Sequence, residues 1–346
     1  MLEVEDGSSC HFCAISASHA GPFHACLDCD SQSLHCTPCI VDFHSCSPLH
    51  RLKTWNGTYF EDGSLANAGL VLNLGHNMST CREGGGKVHT HLVTMIDVNG
   101  LHNVRMSWCR CYGFGSLASE MFRLQWLPAT LIRPGTAFTF RVMKLFQMLS
   151  HVARKSAWDF CTALLRITDN VQPDLLPEIY RSFIYLQRHW RVARGYKRAG
   201  QIRIKEVGMT PRLGLECVSC PWPNKNIPDN WKDDTDADLI YATFIAVDGN
   251  YRLSRNNKGG GEATDPSYVG DDGFYAPNED YKEYCRIRGG ADDEIADITC
   301  RGHKSGDATR YNNSPRKASS GLVCGICARS AAFFHHGTVD LAIGER

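Results

Sequence analysis

No apolar run in this chain approaches the roughly 18 residues needed to cross a bilayer. No sign of charge dominates either, since Lys+Arg and Asp+Glu both total 37 in 346 residues. The first lack excludes a membrane-spanning helix. The second means that any nucleic-acid surface must come from local clustering. The opening MLEVEDGSS is acidic and polar, unlike a secretory signal, and no export is expected from it. The 17 cysteines are therefore expected to stay reduced, and their regular spacings to mark metal sites rather than disulfides. The length suits two or three domains.

What is present begins with the cysteines. Cys10-x2-Cys13, Cys26-x2-Cys29 and Cys36-x2-Cys39 are followed by His44 and His50. Two residues between cysteines let a tight turn aim both sulfurs at one ion, and eight ligands fill two tetrahedral Zn2+ sites. In a cross-braced arrangement Cys10, Cys13, Cys36 and Cys39 surround one ion, and Cys26, Cys29, His44 and His50 the other. Cys46 is a spare that could replace a histidine. Four protein ligands leave no open position, so this zinc is structural and supplies most of the segment's folding energy. Such modules bind peptides, proteins or nucleic acid, and spacing does not say which.

Next, HLVTMIDVNGLHNVRMSW holds two apolar stretches around Asn99-Gly100, a hairpin signal. The second stretch runs into Cys109-Arg110-Cys111, whose sulfurs would share one face of a strand. With His76 and Cys81 they fit either a four-ligand zinc site or packed cysteines beside a loop histidine. From Thr136 to about Ala199 helical patterns dominate. Pro177 suits a first helical turn, and Ile179, Phe183, Leu186 and Trp190 form a one-sided apolar stripe expected in the core. Arg188, Arg191, Arg194, Lys197, Arg198, Arg203 and Lys205 fall in a stretch without acid, with Trp190 and Tyr196 interleaved. That pattern suits phosphate neutralisation or an ordinary solvated helix face.

The last part carries Cys217-x2-Cys220, Cys300-x2-His303 and Cys324-x2-Cys327. Between them FIAVDGNYRL reads as a strand ending at Asp248, an Asp-Gly-Asn turn and a short second strand. KGGGEATDPSYVGDDG reads as loop.

At this point the sequence resembles a family. CSPLHRLKTWNGTYF, LVLNLGH, MIDVNGLHNV with CRC, LQWLPATLIRPGTAFTF, RITDN, CPWPNKNIPDNW, AVDGNYRLSR, ITCRGH and the terminal GER look like the amino-terminal part of a fungal KDZ-type transposase with its CxC-type cysteine-cluster domain. The resemblance implies that Cys109, Cys111, His76 and Cys81 form a metal cluster. It also implies that Asp248 is the first acid of a DDE-type site on an RNase H-like sheet. In such sites several carboxylates hold two divalent ions, usually Mg2+, which drive an in-line displacement at phosphorus. The second and third acids are expected beyond Arg346, and neither Asp340 nor Glu345 matches a catalytic position. The broken sheet is expected to expose an edge and an apolar face. Where the family tends to have histidine, this chain has Ser330. The third metal site therefore draws on Cys217, Cys220, Cys300, His303 and Cys327, with Cys324 as a possible substitute.

The expected architecture is α+β and modular. A zinc-stapled finger spans 1–54, a strand-rich cysteine-cluster domain 55–115 and a helical segment with a basic face 116–205. The start of an RNase H-like α/β domain with a zinc-binding insert spans 206–346. The resemblance implies a transposase-derived, nuclear, zinc-binding protein that associates with DNA, is non-catalytic alone, and takes Mg2+ only with a full catalytic domain. The alternatives are an incomplete reading of an active transposase, or a finger that binds a protein or peptide.

Overall fold

The computed structural model describes residues 10–13, 21–31, 33–75, 89–108, 116–200, 213–250, 253–256, 273–288 and 317–341. The chain divides into two compact units, Met1–Trp190 and Arg191–Arg346. The fold is mixed α+β, as expected.

The first unit opens with strands β1 (Phe23–Cys26) and β2 (Leu34–Cys36), helix α1 (Thr37–Phe43), and strands β3 (Leu52–Trp55) and β4 (Phe60–Gly63). The strands form one antiparallel sheet in the order β2-β1-β3-β4. The β3–β4 turn is set locally. Asn56 Oδ1 accepts the N–H groups of Thr58 and Tyr59 at 3.0 Å each, and Gly57 takes the positive φ. The apolar core is thin. Ile40, Leu52, Leu65 and Leu70 pack with Cys26, while Phe23 packs with Cys10 and Cys36. Metal ligands thus make up much of the core. The sheet also crosses the expected border at residue 54: β3 straddles it and β4 lies beyond it, because four backbone pairings tie the two strands together.

A second sheet follows: β5 (Val71–Leu74), β6 (His89–Asp97), β7 (Gly100–Trp108), β8 (Trp126–Pro128) and β9 (Thr136–Thr139). Its order is β5-β7-β6-β9-β8, with parallel pairs β5/β7 and β6/β9. Helices α2 (Leu117–Arg123), α3 (Phe140–Val152), α4 (Ala157–Thr168) and α5 (Tyr180–Arg198) surround it. The two-residue period of the strands decides which core each residue joins. Val93, Met95, Val104, Met106 and Ala137 pack with Leu117 and Met121 of α2. Ile96 and Phe138 face the other way, onto Val142, Phe146, Phe160, Leu164, Phe183 and Leu186 from α3, α4 and α5. The expected border between strand-rich and helical segments at residue 115 is crossed by this sheet. The helices bury the face that the strands offer, and neither part has a core without the other.

Two local expectations shift by small amounts. The hairpin loop is Val98–Asn99, and Gly100 is the first residue of β7, opposite Asp97 and with φ of 120°. Pro177 lies ahead of α5, which begins at Tyr180. The stripe Ile179, Phe183, Leu186 and Trp190 does face the core as expected.

The second unit holds α6 (Ala237–Ile240), β10 (Ile245–Asn250), β11 (Arg255–Asn256), α7 (Asn278–Arg288), β12 (Lys317–Ser319), β13 (Gly321–Cys327) and β14 (Phe333–Leu341). An antiparallel sheet runs β10-β13-β14, and β11 pairs with β12. The expected Asp-Gly-Asn turn is not formed. Asp248, Gly249 and Asn250 continue β10, paired with Cys324, Val323 and Leu322. The ladder satisfies their backbone groups without a chain reversal. Among the described residues β10 is an edge strand, and Ile245 and Val247 on it are exposed.

Candidate metal centres

The two amino-terminal quartets assemble in the interleaved pairing expected from their spacing. Cys10, Cys13, Cys36 and Cys39 form one group, and Cys26, Cys29, His44 and His50 the other. In each, the four ligand atoms lie within 4.8 Å of one another. Each knuckle projects from the sheet or from a turn beside it: Cys26 ends β1, Cys36 ends β2, and Cys39 sits on α1. Tetrahedral zinc with Zn–S of about 2.3 Å and Zn–N of about 2.0 Å requires S···S of about 3.8 Å and S···N of about 3.5 Å. The structure has Cys13 Sγ 3.6 Å from Cys36 Sγ and Cys26 Sγ 3.5 Å from His50 Nδ1. Cys29 Sγ is 3.3 Å from both His44 Nε2 and His50 Nδ1. Soft thiolates and imidazoles at these separations fit zinc, and all ligating cysteines among the described residues are free thiols. Cys46 is exposed and takes no part.

The surroundings favour ligation. His44 Nδ1 donates to the Ile40 carbonyl at 2.9 Å, which turns Nε2 toward the cluster. Burial pushes the His44 imidazolium down, so the ring stays neutral with a free lone pair. Burial alone would raise the Cys10 thiol, but backbone N–H groups of Cys13, Cys36 and Phe12 draw it down to about 6. Burial and the neighbouring Cys29 push Cys26 up to about 12. Four crowded thiols cannot all ionise unaided, and a dication removes that conflict.

A polar junction ties the second quartet to the larger sheet. Asp28, inside the Cys26-x2-Cys29 knuckle, accepts from Arg51 N at 2.7 Å, Arg51 Nη2 at 2.9 Å and Asn99 Nδ2 at 2.9 Å. Asn99 Nδ2 also donates to the Leu49 carbonyl, and Asn99 Oδ1 bonds His102 Nε2 at 2.8 Å. Burial holds His102 down at about 4, against the opposing pull of Asp97 and Asp28. Asp97 itself is fully buried and accepts from Thr139 Oγ1 at 2.6 Å and from Arg141. Sequence reasoning missed this network. Its one local signal was an acid inside a knuckle and an arginine directly after a ligating histidine.

A third group joins Cys217, Cys220 and Cys327 in the second unit, all buried. Cys220 N donates to the Cys217 carbonyl, closing the knuckle turn. Trp222 Nε1 and Asn226 Nδ2 bond the Cys217 and Cys220 carbonyls. Ser330 Oγ stands 3.2 Å from Cys217 Sγ, at a ligand-like separation. The Ser330 hydroxyl is the main cause that draws Cys327 down to about 6, while burial pushes Cys220 up to about 12. Cys324 pairs with Asp248 across β10 and β13 and lies outside the group. His76, Cys81, Cys109, Cys111, Cys300, His303, Arg203 and Lys205 lie outside the described residues.

Asp248 is exposed, and its Oδ1 accepts its own neighbour's N–H from Gly249. Among the described residues no group of three metal ligands includes it. Asp340 is engaged by Arg255 at 2.9 Å. The basic residues of α5 do not share one face. At about 100° per residue, Arg188, Arg191 and Arg198 turn away from the apolar stripe, whereas Arg194 and Lys197 fall within about 50° of its line, past Trp190. Arg191, Lys197 and Arg198 are exposed.

Fold and sites together define a cysteine- and histidine-stapled α+β protein with two closed four-ligand centres. Residues 65–172 match the family model described as CxC2 like cysteine cluster associated with KDZ transposases. The chain thus carries a KDZ transposase-associated region, which runs from just after β4 to just past α4 and excludes both amino-terminal quartets. No curated protein and no solved structure matches the chain.

Proposed function

We propose that this chain is a transposase-derived, zinc-stapled protein that associates with DNA in the nucleus and performs no strand chemistry alone. The observation that carries the zinc reading is the pair of interleaved quartets at tetrahedral separations, directly ahead of the transposase-associated region. DNA contact is assigned to the end of α5, where Arg191, Lys197 and Arg198 are exposed in a stretch without acid. In this reading β10 opens an RNase H-like sheet and Asp248 is its first metal-binding acid. The antiparallel β10-β13-β14 arrangement supports that assignment. A single carboxylate does not assemble a Mg2+ pair, which needs several hard oxygen ligands.

The test is affinity of the zinc-loaded chain for duplex DNA over a range of salt. Binding is expected to weaken steeply as salt rises. The combined change Arg191→Ala, Lys197→Ala and Arg198→Ala should flatten the log–log slope by about one for each phosphate no longer neutralised. An unchanged slope in that variant would remove α5 from the DNA reading. Mg2+-dependent cutting that disappears in Asp248→Ala would refute the non-catalytic part.

A further inference from the structure

A groove runs beside the second quartet, on the finger. It has a volume of about 210 Å³. Cys26, Cys29 and His44 of the second quartet are part of its lining. The volume is several times that of an ion, and the rest is walled by His11, Phe12, Ser31, Ser33, His35 and Phe43. Phe12 and Phe43 both line it and are exposed at 73% and 60%, so two ring faces are open to a ligand. His35 stacks on Phe43 with ring centroids 5.6 Å apart and planes 23° off parallel. His35 is 8% exposed and forms the buried backing of that ring pair.

Charge says what such a groove would take. Residues 1–50 contain Glu3, Glu5, Asp6, Asp28, Asp30 and Asp42 and no lysine or arginine. Asp28 is committed to Arg51, but Asp30 and Asp42 are exposed. Asp30 stands between the groove residues Cys29 and Ser31, and Asp42 precedes Phe43. This is the wrong sign for a phosphate backbone. Exposed aromatic faces on a segment that carries acids and no basic residue attract a cationic side chain, through the ring quadrupole and through charge.

We infer that the finger groove binds a lysine- or arginine-bearing peptide segment of a partner protein, with the cation over Phe43 and Phe12. The inference stands apart from the DNA reading, since α5 and the finger carry opposite charge. It makes the chain a two-handed adaptor, one element for nucleic acid and one for a basic peptide.

The test uses the full, zinc-loaded chain and fluorescence anisotropy of a labelled peptide of alternating glycine and lysine. A glycine–glutamate peptide and a short DNA duplex serve as controls. The lysine peptide should bind and the glutamate peptide should not. Phe43→Ala and the pair Asp30→Asn with Asp42→Asn should each weaken peptide binding by about tenfold while leaving DNA affinity unchanged. Arg191→Ala should do the reverse. Zinc content is measured for every variant. If Phe43→Ala sheds zinc, Phe12→Ala and the aspartate pair decide, because those side chains stand in solvent. Equal binding of both peptides, or full affinity in zinc-retaining Phe12→Ala and Phe43→Ala chains, would overturn the inference. So would a loss of DNA affinity in the finger variants, which would give the groove to nucleic acid.

Discussion

Replacing Asp28 by asparagine should loosen the second metal centre without touching any of its ligands. The carboxylate receives Arg51 N, Arg51 Nη2 and Asn99 Nδ2 within 2.9 Å, and Arg51 Nε at 3.3 Å. Bonds to an ionised acceptor contribute about 1.5–3 kcal/mol each when shielded. The Arg51 side chain is 35% exposed, so its ionic part is discounted to about 0.5–1 kcal/mol. Asn99 keeps its bond to Leu49, and an asparagine oxygen still accepts one of the two better-shielded donors, so roughly half of that contribution survives. The remaining loss is about 2–4 kcal/mol. Burial would raise the Asp28 carboxyl, but Arg51 and Asn99 overcome it and hold it below the usual carboxylate range. A depressed carboxyl contributes its stability above an unfolded value of about 4 and loses it as pH falls through the folded value. At neutral pH the whole cost should therefore be visible. The assay is zinc release to a chromogenic chelator, together with the urea midpoint of the zinc-loaded chain. Asp28→Asn should speed release of one zinc and lower the midpoint. Asn99→Ala should do the same, and the double variant should cost less than the sum, because both act in one network. Unchanged release and midpoint in Asp28→Asn would refute the view that this junction holds the knuckle.

Three other outcomes follow from the same packing. His102 is held neutral with a folded value near 4, against about 6.5 unfolded, so acidification from pH 6.5 toward 4 should drain stability by roughly 1 kcal/mol per unit, and His102→Gln should reduce that slope in a pH series of denaturant melts. Phe183→Ala removes a fully buried ring that touches Phe138, Phe146 and Phe160, and calorimetry should show a loss of about 3–5 kcal/mol. Cys46→Ser should leave the zinc content unchanged by elemental analysis, whereas Cys39→Ser should lower it, since only the latter thiol belongs to a quartet.

Much of the metal chemistry was legible because it is short-range. A Cys-x2-Cys knuckle is closed by its own turn, so three such knuckles and two histidines already limited the pairings, and the structure has the cross-braced one. The α5 stripe and the β6–β7 hairpin were legible for the same reason. The hairpin turn was misread by one residue because Gly100, not Asn99, takes the positive φ. Asp-Gly-Asn at 248–250 was misread as a reversal because turn chemistry is only permissive, and a neighbouring strand overrode it. The seven basic residues looked like one patch in the linear sequence, but helical geometry separates the five on α5 into two groups.

The sequence alone determined the two amino-terminal quartets, the alternation of the strands, the apolar stripe of α5 and the likeness of residues 65–172 to a transposase-associated cysteine cluster. Each is written in spacings of a few residues. Only the tertiary structure decided that strand-rich and helical segments share one sheet and the two cores on its faces, since β5/β7 and β6/β9 are parallel pairings between distant residues that depend on which buried face meets which. It also decided that Ser330 stands beside Cys217, that Asp28 meets Asn99 across 71 positions of sequence, and that Phe12, His35 and Phe43 line one groove. Contacts of that range leave no periodic trace in a sequence, because they are fixed by how whole layers pack and not by the local preferences of the residues that meet.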